Sequence, residues 1–199
     1  ILGLNPHIVI QPNGYKINDE YINILKTKIK NINISKTYSG EGIVVSNETA
    51  KGIIIKGIDT NNKIGLKFLK ENISKGKIAK FKKNTVFIGT ELAFNLNLKI
   101  NDKINLMSSA FVATPFGGLP KQETLFISGI FNTGFNEFDQ NFVFLNIDDA
   151  LSIFDKEKHE LNLEIYLNDP MKANFFKKEI QKINQNFFIY SWSDLNKSF

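Results

Sequence analysis

The chain has 199 residues, 42% of them hydrophobic and 23% charged, with a mean hydropathy of −0.16 and a formal net charge of +5. That suffices for one or two domains with an ordinary core, and it excludes disordered, collagenous and coiled-coil classes. All 25 cations are lysine, so the planar fork that reads guanine edges is missing and no nucleic-acid partner is expected. The wealth of Lys, Asn, Ile and Phe reads as AT-rich codon usage, with the lysines scattered among acids. Cysteine is absent, which removes disulfides, thiolate zinc sites and thiol catalysis. No stretch reaches the roughly 18 to 20 apolar residues of a membrane span. The start at Ile1-Leu2-Gly3, without Met or a basic leader, points to a piece of something longer.

In chain order, residues 7–11 form an apolar run and Pro12-Asn13-Gly14 supplies turn chemistry. Over 19–30, Tyr21, Ile22, Leu25 and Ile29 recur at helical spacing, and 32–38 alternates as a strand. The far end repeats this order. A strand over 161–167 is broken by Asn168-Asp169-Pro170. A helix over 173–183 follows, with Phe175, Phe176, Ile180 and Ile183 on one stripe, and then a strand over 187–192. Two βαβ units, one at each end, predict an α+β fold in which a ferredoxin-like split βαβ sheet carries two helices on one face.

Between them, 43–46 and 52–59 predict a hairpin around 47–50, although Ile53-Ile54-Ile55 also suits a strand buried on both faces. Gly40-Glu41-Gly42 is read as a bend between strands. From Asn61 the character changes. A Lys-rich helix, a strand at 86–88, a short helix over 91–96 capped by Thr90, and strands over 103–108 and 124–131 make a second, mainly β subdomain inserted into the first. The expected division is 1–60, 61–134 and 135–199.

Catalytic chemistry finds little to stand on. His7 lies in a strand and His159 in a charged turn, neither beside a second ligand at zinc spacing. Asp148-Asp149 is better explained by a cap, with Asn146, before a helix over 150–154 than by an acid/base pair, because adjacent side chains diverge. Phosphate-binding loops and nucleophile elbows are missing, so neither an enzyme nor a cofactor is expected.

The most informative segment is Thr114-Pro115-Phe116-Gly117-Gly118-Leu119-Pro120, between the strands of a predicted hairpin. Proline fixes φ and the glycines permit a tight reversal, which predicts a projecting loop in place of a continued ladder. Phe116 and Leu119 would ride on its tip as binding anchors. The alternative, equally open from the residues alone, is a loop folded back onto its own sheet.

Several stretches, in order and spacing, resemble the LolC/LolE-type permeases of lipoprotein-releasing ABC transporters, whose wider group includes the MacB-like periplasmic domains. They are Ile1-Leu2-Gly3-Leu4-Asn5-Pro6-His7, Gly57-Ile58-Asp59, Ile88-Gly89-Thr90-Glu91-Leu92-Ala93, Leu98 through Ile104 with Asp102, the Pro/Gly loop, and 142–148 followed by Ala150. The resemblance covers nearly the whole chain. It implies a MacB-like fold with a Porter subdomain built from both chain ends and an inserted Sabre subdomain.

It also implies that 114–120 form the hairpin called the Hook, which recruits the periplasmic lipoprotein carrier LolA, with Pro115, Phe116 and Leu119 as anchors. A polar pad at the hairpin's base would comprise Asn105, Lys121, Gln122 and Glu123. Only Gln122 conforms to the family's partly basic pattern there. The implied location is the periplasmic face of the inner membrane, between the first two membrane helices of the full permease. The implied partners are LolA, the ATPase subunit LolD, a second permease subunit and lipoprotein cargo. A MacB-like efflux or mechanotransmission domain and a LolE-like lipoprotein-receiving subunit are the competing readings.

Overall fold

The computed structural model describes residues 5–46, 49–61, 63–115 and 117–195. In chain order the elements are β1 (Ile8–Gln11), α1 (Asp19–Lys28), β2 (Ile32–Ser46), β3 (Thr49–Ile58), α2 (Lys63–Asn72), β4 (Ile73–Gly76), β5 (Thr85–Gly89), α3 (Thr90–Asn95), β6 (Lys103–Thr114), β7 (Gly117–Phe131), α4 (Asn136–Asn141), β8 (Phe142–Asn146), α5 (Ile147–Ile153), β9 (Asn162–Leu167), α6 (Ala173–Ile183), β10 (Phe188–Ser191) and α7 (Trp192–Leu195). They divide into two compact units. One spans 38–156; the other takes the described residues up to Thr37 and from Glu157 onward.

In the terminal unit the strands lie in the order β10-β1-β9-β2, every neighbouring pair antiparallel. This is the split βαβ sheet expected from the two end units. α1 starts where Asn18 Oδ1 accepts the Tyr21 amide at 2.9 Å. Its Tyr21, Ile22 and Leu25 join Ala173 and Ile180 of α6 over Ile8, Ile10, Leu163, Ile165 and Ile189, so one face of the sheet is roofed by both helices. Phe175 departs from the expected stripe and stands exposed, because a buried face through Ala173, Phe176 and Ile180 turns it outward.

In the inserted unit, β2-β3-β8-β5-β7 run side by side, and β6 pairs with both β7 and β2. The sheet therefore closes into a ring of six strands, each paired on both sides over part of its length, and β4 extends it beside β7. Val44, Ile53, Ile55, Val86, Ile88, Ile104, Leu106, Leu125 and Val143 fill its core, with α3 and α5 packed on it. β3 is buried along most of its second half, as the uninterrupted isoleucine run allows.

Three local expectations are corrected. Gly40-Glu41-Gly42 is not a bend: β2 runs straight through it. A Cβ on Gly42 would lie 2.5 Å from the Ile55 side chain and 2.7 Å from the Met107 carbonyl, so the glycine admits close approach of β3 and β6. Thr90 is not the N-cap of α3. Gly89, extended at the end of β5, takes that position, and Thr90 is the first helical residue. The inserted unit also begins at Tyr38 and ends at Lys156, not near 61 and 134, because β3, β8 and α5 contribute their apolar residues to its core. Asn146 does cap α5, accepting the Asp148 amide at 2.9 Å.

Two predictions follow from this packing. Gly42→Ala is expected to cost about 1–3 kcal/mol, read as a lower urea midpoint, since the Met107 backbone oxygen cannot rotate away. In the terminal unit, the Asp194 carboxylate accepts from Lys177 Nζ, the Ser191 hydroxyl and the Ser191 amide, and these donors hold its pKa well below the carboxylate range. A depressed folded-state pKa stabilises above the unfolded value and is lost as pH falls, so the wild-type advantage over Asp194→Ala should be about 1–2 kcal/mol at pH 7. It should shrink from roughly pH 5 downward in thermal melts.

Candidate functional site

The β6–β7 pair is longer than the sequence reading allowed. Lys103 to Met107 register against Phe126 to Gln122 within the ring. After an irregularity the ladder resumes with Phe111 opposite Pro120, Val112 opposite Leu119, Ala113 opposite Gly118 and Thr114 opposite Gly117. The predicted loop is thus replaced by a two-stranded ribbon that continues as far as Thr114 opposite Gly117. Its chemistry explains why. The Thr114 hydroxyl donates to the Gly117 carbonyl at 2.6 Å, and Gly117 adopts φ +115°, a conformation closed to side-chain-bearing residues. Pro120 does not interrupt the ladder because each strand of a free ribbon is an edge, where a missing N–H faces solvent.

From Ser109 to Gln122 no described residue is buried. The ribbon's apolar side chains are instead in water: Phe111 is 64% exposed, Leu119 60% and Val112 47%. Opposite residues share a face, so Phe111 with Pro120 make one apolar pair and Val112 with Leu119 the other. Pro115 at the turn is also exposed. Phe116 lies outside the described residues. The sequence does not mark Phe111 and Val112, because its proline and glycines read as a loop that ends the ladder at Ser108; their mirror placement with Leu119 and Pro120 is the available signal.

Two contacts clamp the ribbon's root to the end of α5. Buried Ser108 donates its hydroxyl to the Ile153 carbonyl and accepts the Ala110 amide at 3.1 Å, which pins the irregularity in β6. On β7, Lys121 Nζ reaches Asp155 Oδ1 at 2.7 Å, and this ammonium holds the Asp155 carboxyl below its ordinary range.

The four residues expected to form a polar pad are not brought together on one face. Asn105 and Gln122 are exposed on the face shared with Met107 and Thr124, and the Thr124 hydroxyl donates to Asn105 Oδ1 at 2.6 Å. Glu123 is opposite Leu106 on the other face and half-buried, while Lys121 is engaged by Asp155. Beside the root, on the Phe111 and Pro120 side, a groove of about 680 Å³ is lined mainly by apolar atoms of Ile43, Ile53, Ile54, Met107, Phe111 and Pro120.

The residues weighed for catalysis have structural duties. His7 Nδ1 accepts the Leu167 amide at 2.8 Å, which ties the start of β1 to the end of β9, and burial lowers its pKa. His159 pairs with Glu157 at 3.2 Å. Asp149 is buried, which raises its pKa, and accepts the Asn84 amide at 2.6 Å. Among the described residues there is no group of three or more metal-ligating side chains, and no helix is long and apolar enough to cross a membrane.

No family model matches the chain. Two proteins named lipoprotein-releasing system transmembrane protein LolC are similar to it. That of Buchnera aphidicola subsp. Schizaphis graminum is 29% identical over 201 residues, covering 96% of this chain and 48% of that protein. That of Xylella fastidiosa (strain Temecula1) is 22% identical over 156 residues, covering 77% and 38%. The chain thus spans about half the length of the first relative and less of the second. Among solved structures, the periplasmic region of MacB from Actinobacillus actinomycetemcomitans aligns with a TM-score of 0.58 at 11% identity, over 98% of this chain and 92% of that one. The extracellular domain of the noncanonic ABC-type transporter YknZ from Gram-positive bacteria aligns at 0.57 and 13%, over 94% and 99%. The chain resembles LolC-type permeases in sequence and has the MacB-like periplasmic-domain fold.

The root clamp yields a prediction. Ser108→Ala leaves the Ile153 carbonyl and Ala110 amide without their partner, which should cost about 1–3 kcal/mol. Amide hydrogen exchange along 111–120 should quicken by at least tenfold while the ring strands stay protected.

Proposed function

We propose that this chain is the periplasmic domain of the transmembrane subunit of a lipoprotein-releasing ABC transporter, and that its ribbon recruits the periplasmic carrier LolA. It does no covalent chemistry. In this reading ATP is hydrolysed by a separate subunit, LolD, a second permease subunit completes the membrane part, and the domain stands at the periplasmic face of the inner membrane. Its task is to hold the carrier beside the transporter so that an acylated lipoprotein passes over without exposing its chains. Each CH₂ left in water would cost about 0.8 kcal/mol.

The observation that carries the reading is the ribbon of residues 111–120. It keeps Phe111, Val112 and Leu119 in solvent on a turn already shaped by Pro115, Gly117 and the Thr114 hydrogen bond. Large apolar side chains held out on a preformed ladder favour burial in a partner's cavity. Each contributes about 1.5–3 kcal/mol, and little ordering entropy is lost. Similarity to proteins named as the LolC subunit of a lipoprotein-releasing system is what makes a lipoprotein carrier the partner in this reading. In this reading Asn105 and Gln122, exposed on one face of the root, meet the cavity rim, whereas Glu123 lies on the other face and Lys121 is engaged by Asp155.

Leu119→Asp should reduce capture of LolA by this chain in a pull-down at least a hundredfold with an unchanged circular dichroism spectrum, and Phe116→Asp should do the same. Undiminished capture by both variants would refute the assignment. The MacB-like fold favours a second reading, a mechanotransmission domain. Replacing 111–120 by a short turn separates the two, because a mechanotransmission module keeps its partner when the ribbon is gone.

A further inference from the structure

The lysines are not evenly scattered. Residues 63–83 hold eight of the 25, Lys63, Lys67, Lys70, Lys75, Lys77, Lys80, Lys82 and Lys83, with Glu71 as the one acid. This segment carries +7, so the other 178 residues of a +5 chain carry −2. Codon usage raises the number of lysines but does not gather them beside so few acids.

The fold leaves all eight exposed on consecutive elements of the inserted unit. On α2, Lys63, Lys67 and Lys70 recur at i, i+4 and i+7, an exposed stripe opposite buried Phe68 and Leu69. Lys75 follows on β4, which pairs with β7 and forms the end of the sheet path, and Lys77, Lys80, Lys82 and Lys83 continue through the short turn of helix at 78–80 into β5. Lysine on an edge strand is a common guard against stray pairing. That accounts for Lys75 but not for the helical stripe. The Lys67–Glu71 contact, at 3.7 Å between exposed groups, neutralises little.

The neighbourhood narrows what such a surface binds. No large apolar side chain is exposed between 63 and 83, since Phe68, Leu69 and Phe81 are all buried. A protein interface normally has an apolar or aromatic centre and is poor in lysine. Single-stranded nucleic acid needs exposed aromatic platforms. Within 63–83 neither feature is present; beyond it, Phe126 of β7, whose amide donates to the Asn84 carbonyl, is exposed. What remains complementary is a fluid layer of phosphates, for which flexible point charges need no pocket and no fixed register.

We propose that the 63–83 surface docks on an anionic lipid bilayer through its headgroup phosphates. β7 reaches it at Gly129 to Phe131, about nine residues and so about 30 Å along the strand from Pro120, which makes it a site separate from the ribbon. The inference does not depend on the carrier reading.

The test is sedimentation of the 199-residue chain with vesicles of 30% phosphatidylglycerol in phosphatidylcholine, against pure phosphatidylcholine. Binding to the anionic vesicles alone is expected, falling steeply between 50 and 300 mM salt, values set for the experiment on the order of the screening range. At about fivefold per lysine, Lys63→Gln/Lys67→Gln/Lys70→Gln should weaken partitioning roughly a hundredfold. Lys26→Gln/Lys28→Gln/Lys30→Gln, which removes the same charge from the terminal unit, should change it less than threefold. Equal loss from both lysine triples, or equal binding to neutral vesicles, would overturn the proposal. So would displacement by millimolar inorganic phosphate, or tighter binding to a 20-base-pair duplex or to polyglutamate at the same salt.

Discussion

The ribbon depends on how its root is held. A two-stranded hairpin in water is marginal by itself, since it has no second layer against which to bury a face. Here its strands are continuous with β6 and β7 of a closed ring, and the junction is fastened twice to the segment ending α5, through Ser108 to the Ile153 carbonyl and through Lys121 to Asp155. Ser108 lies out of water, so its hydrogen bonds carry more weight than the exposed ion pair. These contacts convert ring rigidity into rigidity of an arm that has no core of its own, and Phe111, Val112 and Leu119 are held in solvent as a result.

Closure of the ring serves the same end. Because β6 pairs with β2 on one side and β7 on the other, the two strands that become the ribbon leave a structure with few free edges. Gly42 lets β2, β3 and β6 approach closely enough for that closure. The terminal unit is built on a different principle, two helices over one face of an antiparallel sheet, and the boundary between the units falls inside one continuous strand, β2.

The end units were legible because their periodicities are strong and local: Tyr21, Ile22, Leu25 and Ile29 announce a helix, and Asn168-Asp169-Pro170 a break. The inserted unit was harder. Its β2 reads as ending at Tyr38, before a bend at Gly40-Glu41-Gly42, since glycine's two uses, bending a chain and admitting a neighbour, look alike until the neighbour is known. The ladder reads as ending at Ser108 because proline and glycine mark loops, whereas here Gly117, Gly118 and Pro120 belong to an edge strand. The segment 114–120 therefore reads as a loop although most of it lies in a continuing ladder. Phe111 and Val112 went unnoticed, and the four pad residues were grouped by closeness in sequence although adjacent residues on a strand face opposite ways. The lysine surface was hidden by composition, which counts charges without placing them.

The account stands most directly on where the ribbon's apolar side chains go in the assembled system. A photo-crosslinking residue placed at Leu119 or Val112 of the full permease, irradiated with LolA present, should join the carrier from both positions, whereas the same probe at Lys77 should not. Crosslinks from Leu119 that stay within the chain itself, or carrier crosslinks of equal strength from Lys77, would contradict it.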